Sequence, residues 1–257
     1  MKVTVCELRN DVDALKEDWQ ALVGHVKKTG SEFVLLPEMP FFHWLARTRQ
    51  VNSAQWAESV NAHDTWLSRL TELAPAGVAG TRPVLKDGKR LNEAFVWQKT
   101  TGCAGVHTKY YLPNEPEFWE ASWYERGSGD FAAAAIKNAQ VGFLICTELW
   151  FNKHAREYSQ QGVHLLLCPR ATPKSTVDKW IAGGRTAAVV SGAFCLSSNL
   201  GGSTVSGAEY GGTGWIIEPE EGVVLGVTSQ QQPFLTLDID LCVAESAKHT
   251  YPRYVPD

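Results

Sequence analysis

One cysteine, Cys146, has the surroundings expected of a nucleophile. In the segment LICTELW it follows a strongly apolar run and precedes polar residues, so the pattern places its thiol at the carboxyl end of a β-strand. Sheets of α/β proteins usually present ligands and catalytic groups at that end. A thiol there can attack an electrophilic carbon and form a covalent intermediate. Because the segment alone is more typical of a buried structural cysteine, this interpretation depends on the residues that accompany it.

Two further segments offer a base and a cation. In FVLLPEMPF, Glu38 follows an apolar run and lies between Pro37 and Pro40. A carboxylate among apolar neighbours loses hydration, which raises its pKa and makes it a competent base near neutral pH. In VHTKYYLP, Lys109 ends an apolar-alternating strand, and its ammonium could stabilise an oxyanion by about 3 kcal/mol. Taken singly, Glu38 could be a turn residue and Lys109 a solvated strand end.

The three segments together resemble the nitrilase superfamily of carbon-nitrogen hydrolases, whose signature is a Glu, a Lys and a Cys in that order. The family's base segment resembles LLPEMPF, its lysine segment HTKYYLP, and its nucleophile segment LICTELWFNKHAR. SSNLGG and GGTGWIIEPEEGVVLG also resemble later family segments, so the resemblance covers nearly the whole chain. It implies a single carbon-nitrogen hydrolase domain over residues 1–257, with an α/β fold arranged as a four-layer α-β-β-α sandwich.

The resemblance also implies a second glutamate that follows the lysine. Glu120 fits best, with Glu115 and Glu117 as alternatives. The chain departs from many relatives after the cysteine, where Thr147 replaces an aromatic residue and Trp-Phe-Asn at 150–152 replaces an Arg-Phe-Pro run. These departures leave the catalytic roles in place, but they remove the basis for inferring the substrate from better known members.

What the resemblance implies is hydrolysis of a small amide to a carboxylic acid and ammonia. Cys146 would attack the carbon as Glu38 accepts its proton, and Lys109 with the backbone N–H of Thr147 would hold the developing negative charge. Water activated by Glu38, oriented with Glu120, would then hydrolyse the thioester. This chemistry requires no metal and no organic cofactor. An N-carbamoyl compound, a nitrile, or a small molecule bound without turnover are the alternatives.

Aromatic residues near the three segments predict an apolar pocket for an aromatic or hydrophobic acyl group. The substrate-binding candidates are Thr147, Trp150, Phe42, Tyr111, Trp119 and Arg170. Arg170 belongs to the stretch CPRATPKSTVDKW, which is expected either to border the pocket or to form a surface loop and helix.

Other hydrolase classes fit the sequence less well. A Cys-His hydrolase would use His107, His154 or His164 as base, but no recognisable Cys-His motif accompanies these residues. A serine hydrolase of the α/β type would carry the motif G-x-S-x-G, which the chain lacks.

Composition and charge argue against several partner classes. The 257 residues carry a formal net charge of -4 without a Lys/Arg cluster, which argues against nucleic-acid and anionic-membrane partners. No apolar run could span a bilayer, and MKVTVCELRN lacks a secretory pattern, so we expect a cytoplasmic protein. The six cysteines occur singly, which favours reduced thiols. We expect a small amide-like substrate and, by the resemblance, a homodimer or larger homo-oligomer with HTYPRYVPD as an interface arm.

The secondary structure that must position these residues follows from periodicity and punctuation. Amphipathic patterns predict helices over 11–28, 53–73, 153–161 and 176–190. Short apolar runs bounded by Gly, Asn or Pro predict strands at 2–8, 33–37, 77–85, 91–98, 103–110, 139–146, 162–169, 193–199, 214–219, 222–227 and 234–240. KDGK predicts the turn of a hairpin.

Overall fold

Two β-sheets packed face to face form the centre of the molecule. The computed structural model describes residues 1–202 and 209–256. Within them the strands are β1 (Lys2–Leu8), β2 (Phe33–Leu35), β3 (Gly77–Lys86), β4 (Lys89–Gln98), β5 (Gly102–Thr108), β6 (Ala134–Ile136), β7 (Ala139–Phe143), β8 (Leu165–Arg170), β9 (Phe194–Leu200), β10 (Trp215–Ile217), β11 (Val224–Val227) and β12 (Phe234–Asp238). The α-helices are α1 (Val12–Thr29), α2 (Ser53–Ser68), α3 (Glu120–Trp123), α4 (Asn152–Gln160), α5 (Val177–Ser191) and α6 (Leu241–Ala247). Short 3-10 turns cover Leu45–Arg47, Arg69–Leu73, Cys146–Trp150 and Lys174–Thr176.

The strand directions bring three chain segments to the same end of the molecule. One sheet has the order β12-β1-β2-β3-β4-β5, the other has β11-β10-β9-β8-β7-β6, and a two-residue parallel pairing of β1 with β9 joins them. Strands β1, β2 and β3 are parallel, as are β7, β8 and β9, while β5 regains this direction through the antiparallel β4. The carboxyl ends of β2, β5 and β7 therefore point the same way.

Alternation along the strands divides the core into layers. On β2, Phe33 and Leu35 belong to the cluster that contains residues of β7, β8 and α5, whereas Val34 belongs to a second cluster with Trp19 of α1. Helices α1 and α2 thus cover the first sheet, and α4 and α5 cover the second. The result is the predicted four-layer α-β-β-α sandwich.

The predicted helices and strands are confirmed, with differences at short elements. Asp11 caps α1, because its side chain accepts a hydrogen bond from the Ala14 N–H at 3.0 Å. The helix predicted over 53–73 tightens to a 3-10 turn from Arg69. Asp87 and Gly88, with φ of 52° and 75°, form the predicted hairpin turn. Strand β6 and helices α3 and α6 were missed, since elements of 3, 4 and 7 residues are too short to show a period.

The C-terminal segment packs on its own chain. The buried guanidinium of Arg253 donates to the carbonyl oxygen of Val189 at 3.0 Å and to the carboxylate of Glu220 at 2.7 Å. Tyr251 and Tyr254 stay exposed. Residue 257, the last of the predicted interface arm, lies outside the described residues.

Candidate active site

The fold places Glu38, Lys109 and Cys146 after strands that end on the same side of the molecule. Glu38 follows β2, Lys109 directly follows β5, and Cys146 follows β7. The Glu38 N–H donates to the carbonyl oxygen of Arg170 at 3.2 Å, and the Lys109 N–H donates to that of Asn92 at 2.9 Å. Backbone hydrogen bonds to β8 and β4 therefore fix two of the three residues.

A buried cluster of three charged side chains lies here. The Lys109 ammonium contacts Glu38 Oε1 at 2.8 Å and both carboxylate oxygens of Glu120 at 2.8 and 2.7 Å, and none of the three side chains is exposed. Asn92 donates its amide N–H to the same Glu38 Oε1 at 2.8 Å. Glu38 Oε2 has no hydrogen-bond partner among the described residues. That oxygen is therefore free to accept a proton.

Cys146 begins the 3-10 turn Cys146–Trp150 with a φ of 48°, which is unusual for a residue with a side chain. It is 4% exposed. Burial and then the Glu38 carboxylate raise the pKa of its thiol well above the ordinary value, while Lys109 opposes this. The thiol is therefore protonated near neutral pH, and it can react only if a base accepts the proton.

Of the three candidate second glutamates, only Glu120 contacts Lys109. Burial raises the pKa of Glu120, the Lys109 ammonium in contact with both of its oxygens opposes this rise and favours the carboxylate, and the Glu38 charge adds to the rise. Glu117 instead forms an ion pair with Arg47 at 3.0 Å, and Glu115 is an exposed residue at the edge of the adjoining cavity. The distinction comes from α3, which begins at Glu120 and turns its side chain inward.

A cavity of about 410 Å³ opens onto Cys146. The predicted substrate-binding residues Thr147 and Trp150 line it, and the Lys179 ammonium lies 5.4 Å from the centre of the Trp150 ring. The other residues that line the cavity are Pro113, Asn114, Glu115, Phe118, Glu120, Thr172, Pro173, Thr176, Lys179 and Trp180. Its wall therefore combines aromatic rings with a carboxylate and an ammonium at the edge.

Arg170 does not line this cavity as the described residues form it. Its buried guanidinium donates to Ser197 Oγ and Thr172 Oγ1, both at 2.7 Å, and lies 4.0 Å from the centre of the Trp215 ring. A guanidinium held in this way is committed to the interior. Arg170 supports the Glu38 segment through its carbonyl oxygen and is not positioned to touch a substrate.

The remaining three aromatic candidates also lie outside the cavity wall formed by the described residues. The Tyr111 ring stacks on Phe151 with 3.5 Å between ring centroids. The Arg49 guanidinium lies 5.2 Å from the centre of the Trp119 ring. The Phe42 ring packs beside the imidazole of His43. These rings are half-buried parts of surrounding loops. Proximity in sequence to a catalytic residue did not indicate the direction of the side chain.

The histidines that a Cys-His hydrolase would use are engaged elsewhere. His107 contacts Glu148 at 2.8 Å, His154 contacts Glu157 at 2.7 Å, and His164 lies 3.5 Å from Glu245. None of the three lines the Cys146 cavity as it is described.

Two buried residues that support the site, Asn92 and Glu148, were not predicted from the sequence. Asn92 holds Glu38, and the Glu148 carboxylate accepts hydrogen bonds from the N–H groups of Tyr110 at 2.8 Å and Ile145 at 2.9 Å. The available signal for Glu148 was its position as an acidic residue in the apolar run LICTELW. A charged side chain is rarely buried without a partner, so a buried Glu there implies a structural or functional contact.

In the described part of the chain, no group of three His, Cys, Asp or Glu side chains is arranged to hold a metal ion. Within the same ranges, no helix has both the length and the apolar character needed to cross a bilayer.

Comparison with known proteins identifies the family. The chain matches the carbon-nitrogen hydrolase family model over residues 2–249. It resembles a carbon-nitrogen hydrolase from Helicobacter pylori G27, with a TM-score of 0.87 and 19% identity over 99% of this chain and 94% of that one. A mutant amidase from Nesterenkonia sp. AN1, which shows Michael addition of acrylamide at the active-site cysteine, gives a TM-score of 0.77 and 19% identity over 95% of both chains. An N-carbamoylputrescine amidase of Solanum tuberosum is 25% identical over 98% of this chain and 91% of its own length. The chain therefore belongs to the carbon-nitrogen hydrolase family and is a hydrolase of carbon-nitrogen bonds other than peptide bonds.

Proposed function

We propose that the protein hydrolyses a small amide to a carboxylic acid and ammonia through a thioester on Cys146. The observation that carries this proposal is the buried contact of Lys109 with Glu38 and Glu120, adjoining a cavity into which Cys146 opens. A thiol, a base with one free oxygen and a fixed cation are the groups that attack on an amide carbon requires.

In the first half of the reaction, Glu38 accepts the Cys146 proton on its unpartnered Oε2 as sulfur bonds to the amide carbon. The carbonyl π electrons move to oxygen, where the Lys109 ammonium and the Thr147 N–H stabilise the negative charge. The first amides of a helical turn have no carbonyl partner within it, so the Thr147 N–H suits this role. The tetrahedral species collapses, the carbon-nitrogen bond breaks, and the nitrogen takes the proton from Glu38 and leaves as ammonia.

In the second half, water hydrolyses the thioester. Glu38 accepts a proton from water as the water oxygen bonds to the acyl carbon, and the carbon-sulfur bond then breaks. The sulfur regains a proton from Glu38, which restores the resting state. Glu120 holds Lys109 with both oxygens and keeps the cation directed at the acyl oxygen in both halves.

The cavity wall supports an acyl group with apolar surface. Trp150 and Trp180 lie with 5.0 Å between ring centroids, and Phe118 adds a third ring. Burial of apolar surface of the acyl group against these rings contributes roughly 25 cal/mol per Å² to binding. Thr147 and Trp150 are the predicted binding residues that this proposal retains.

A second candidate substrate class is an N-carbamoyl compound. The relative from Solanum tuberosum is named an N-carbamoylputrescine amidase, and a relative from Francisella tularensis, 24% identical over 66% of this chain, is named a citrullinase. The carbamoyl carbon is open to the same attack, and its hydrolysis releases ammonia, carbon dioxide and an amine. A nitrile is the third class that the same thiol could attack.

Ammonia release from a panel of amides, N-carbamoyl compounds and nitriles tests the proposal. The purified protein and Cys146→Ala would be compared, with Cys242→Ala as matched control, since Cys242 is an exposed cysteine that does not line the cavity. We expect the highest kcat/KM on an amide with an apolar acyl group and loss of turnover in Cys146→Ala alone. Faster turnover of carbamoyl compounds would replace the first candidate with the second. Absence of turnover across the panel would contradict both.

We also propose that the protein acts in the cytoplasm as a homo-oligomer of one-domain subunits. The family match over residues 2–249 supports one domain, and the exposed rings of Tyr251 and Tyr254 offer apolar surface for a second copy. Light scattering after size-exclusion chromatography would measure the assembly, and a monomer at micromolar concentration would contradict it.

A further inference from the structure

A single buried carboxylate connects the segments that carry Lys109 and Cys146. Glu148 Oε1 accepts a hydrogen bond from the N–H of Tyr110, the residue after Lys109, at 2.8 Å. Its Oε2 accepts one from the N–H of Ile145, the residue before Cys146, at 2.9 Å. The Glu148 side chain has no exposed surface. The lysine segment and the nucleophile turn are therefore tied to each other by the same group.

His107 supplies the third contact to this carboxylate and shows its charge state. Its Nε2 lies 2.8 Å from Glu148 Oε2, and its Nδ1 lies 3.0 Å from the carbonyl oxygen of Asp130. A neutral imidazole carries one N–H, whereas both ring nitrogens here face oxygen acceptors. With Glu148 as the carboxylate, both contacts can be hydrogen bonds only when both nitrogens are protonated. The geometry thus fits an imidazolium paired with a carboxylate in the interior.

The charged groups around His107 agree with this assignment. Burial lowers the pKa of His107, but the Glu148 carboxylate, the Asp130 carbonyl and the Asp130 charge together outweigh burial and raise the pKa above its ordinary value. The third neighbour, Phe131, is uncharged and lies with 4.7 Å between ring centroids. Phe131 in turn stacks on His154, which faces Glu157 and not His107.

The proposed chemistry requires the Lys109 segment and the Cys146 turn to keep a fixed relative position. Cys146 adopts a φ of 48°, a conformation that costs a non-glycine residue on the order of 1 kcal/mol and persists only when surrounding contacts hold it. Lys109 must meet an oxyanion formed on an atom bonded to Cys146. A misplacement of about 1 Å between catalytic groups can cost roughly 100-fold in rate.

We propose that the buried pair of Glu148 and the His107 imidazolium is a positioning device that fixes the Lys109 segment against the Cys146 turn, and that this hold weakens when His107 loses its proton. Neither residue touches the substrate. The inference rests on the proposed roles of Lys109 and Cys146, and it assigns functions to two residues that lie outside the cavity wall.

The sign of the pH dependence follows from the raised pKa of His107. The folded protein keeps the His107 proton to higher pH than the unfolded chain, whose histidines titrate near 6.5. The contribution to stability is therefore complete below about 6.5 and is lost as pH rises through the raised folded value. We expect turnover to fall over that same alkaline range.

The direct test is the protonation state of His107 by nitrogen-15 NMR of the imidazole rings. It is measured on the wild-type protein, with the resonance assigned from contacts with the Phe131 ring and from its loss in His107→Gln. We expect both ring nitrogens of His107 to be protonated at pH 6.5, where an ordinary histidine is half neutral. A neutral ring at that pH would overturn the proposal. Because this measurement needs no substrate, its result stands apart from that of the ammonia assay.

Kinetics then separate positioning from a merely structural role. His107→Gln is compared with His154→Gln, which alters another buried histidine in contact with a glutamate, but one whose ring nitrogens meet Glu157 and the Tyr111 hydroxyl and not the Glu148 carboxylate. With the amide turned over fastest, we expect His107→Gln to lower kcat at least about 10-fold at pH 7 with little change in KM. We also expect it to lack the alkaline fall seen in the wild type and in His154→Gln. Equal pH profiles for wild type and His107→Gln would contradict the device.

Discussion

The ammonium groups of two lysines in this molecule are removed from bulk water, and their positive charges are compensated by different partners. The Lys109 ammonium is fully buried between the carboxylates of Glu38 and Glu120. The Lys248 ammonium, near the C-terminus, instead donates to the carbonyl oxygens of Val163 at 2.7 Å and Gly192. One lysine thus has full counter-charges, and the other has only backbone dipoles.

The difference decides up to which pH each lysine keeps its proton. Burial lowers the pKa of Lys109, but the carboxylates of Glu120 and Glu38 more than compensate and raise it well above its ordinary value. For Lys248, burial and the nearby Arg253 guanidinium lower the pKa to about 8. Burial without carboxylates lowers the pKa of a lysine toward neutrality, so carboxylates in contact with an oxyanion-stabilising lysine secure its proton.

Removing the Lys109 charge should have the largest effect. Lys109→Met leaves the carboxylates of Glu38 and Glu120 facing each other without a cation, and it removes the group that stabilises the oxyanion. We expect turnover to fall by about 1,000-fold and the free energy of unfolding by roughly 3–5 kcal/mol at pH 7. Ammonia release and urea denaturation measure the two effects. Turnover within 10-fold of wild type would show that the Lys109 charge does not stabilise the oxyanion.

Removing one of its counter-charges should have a smaller effect. Glu120→Gln keeps the shape of the side chain but leaves Lys109 with Glu38 as its single carboxylate partner. We expect kcat to fall about 10- to 100-fold, because Lys109 is held less firmly and Glu38 is bound more tightly to it. Glu117→Gln is the matched control, since its carboxylate pairs with Arg47 away from Lys109. Similar kinetics for the two variants would remove Glu120 from the account.

Lys248 should affect stability alone and in a pH-dependent manner. Because its pKa of about 8 in the folded state lies below the ordinary value near 10.4, the unfolded chain binds more protons between these two values. Stability therefore rises with pH over this range relative to Lys248→Met, in which the dependence is absent. Urea denaturation of both proteins at pH 7 and 9.5 measures this, and turnover should stay within about 2-fold. A wild-type advantage that shrinks at pH 9.5 would contradict the assignment.

The sequence indicated the groups at strand ends and little of what surrounds them. Glu38, Lys109 and Cys146 each follow an apolar run, so periodicity and motif together located them. The choice of Glu120 over its neighbours needed the turn of α3, which no periodicity marks. Arg170 was expected at the pocket, yet its guanidinium is enclosed by β9 and the Trp215 ring. Side chains at strand ends and on loops point where tertiary contacts direct them, and one sequence does not contain that information.

The central claim is that Cys146 forms the covalent intermediate, and one measurement tests it most directly. The protein is mixed with the amide that it hydrolyses fastest, quenched in acid within one turnover, digested, and analysed by peptide mass spectrometry. We predict an added acyl mass on the peptide that contains Cys146, released by hydroxylamine as expected of a thioester, and absent from Cys146→Ala. An acyl group on another residue, or ammonia release by Cys146→Ala at the wild-type rate, would contradict the account.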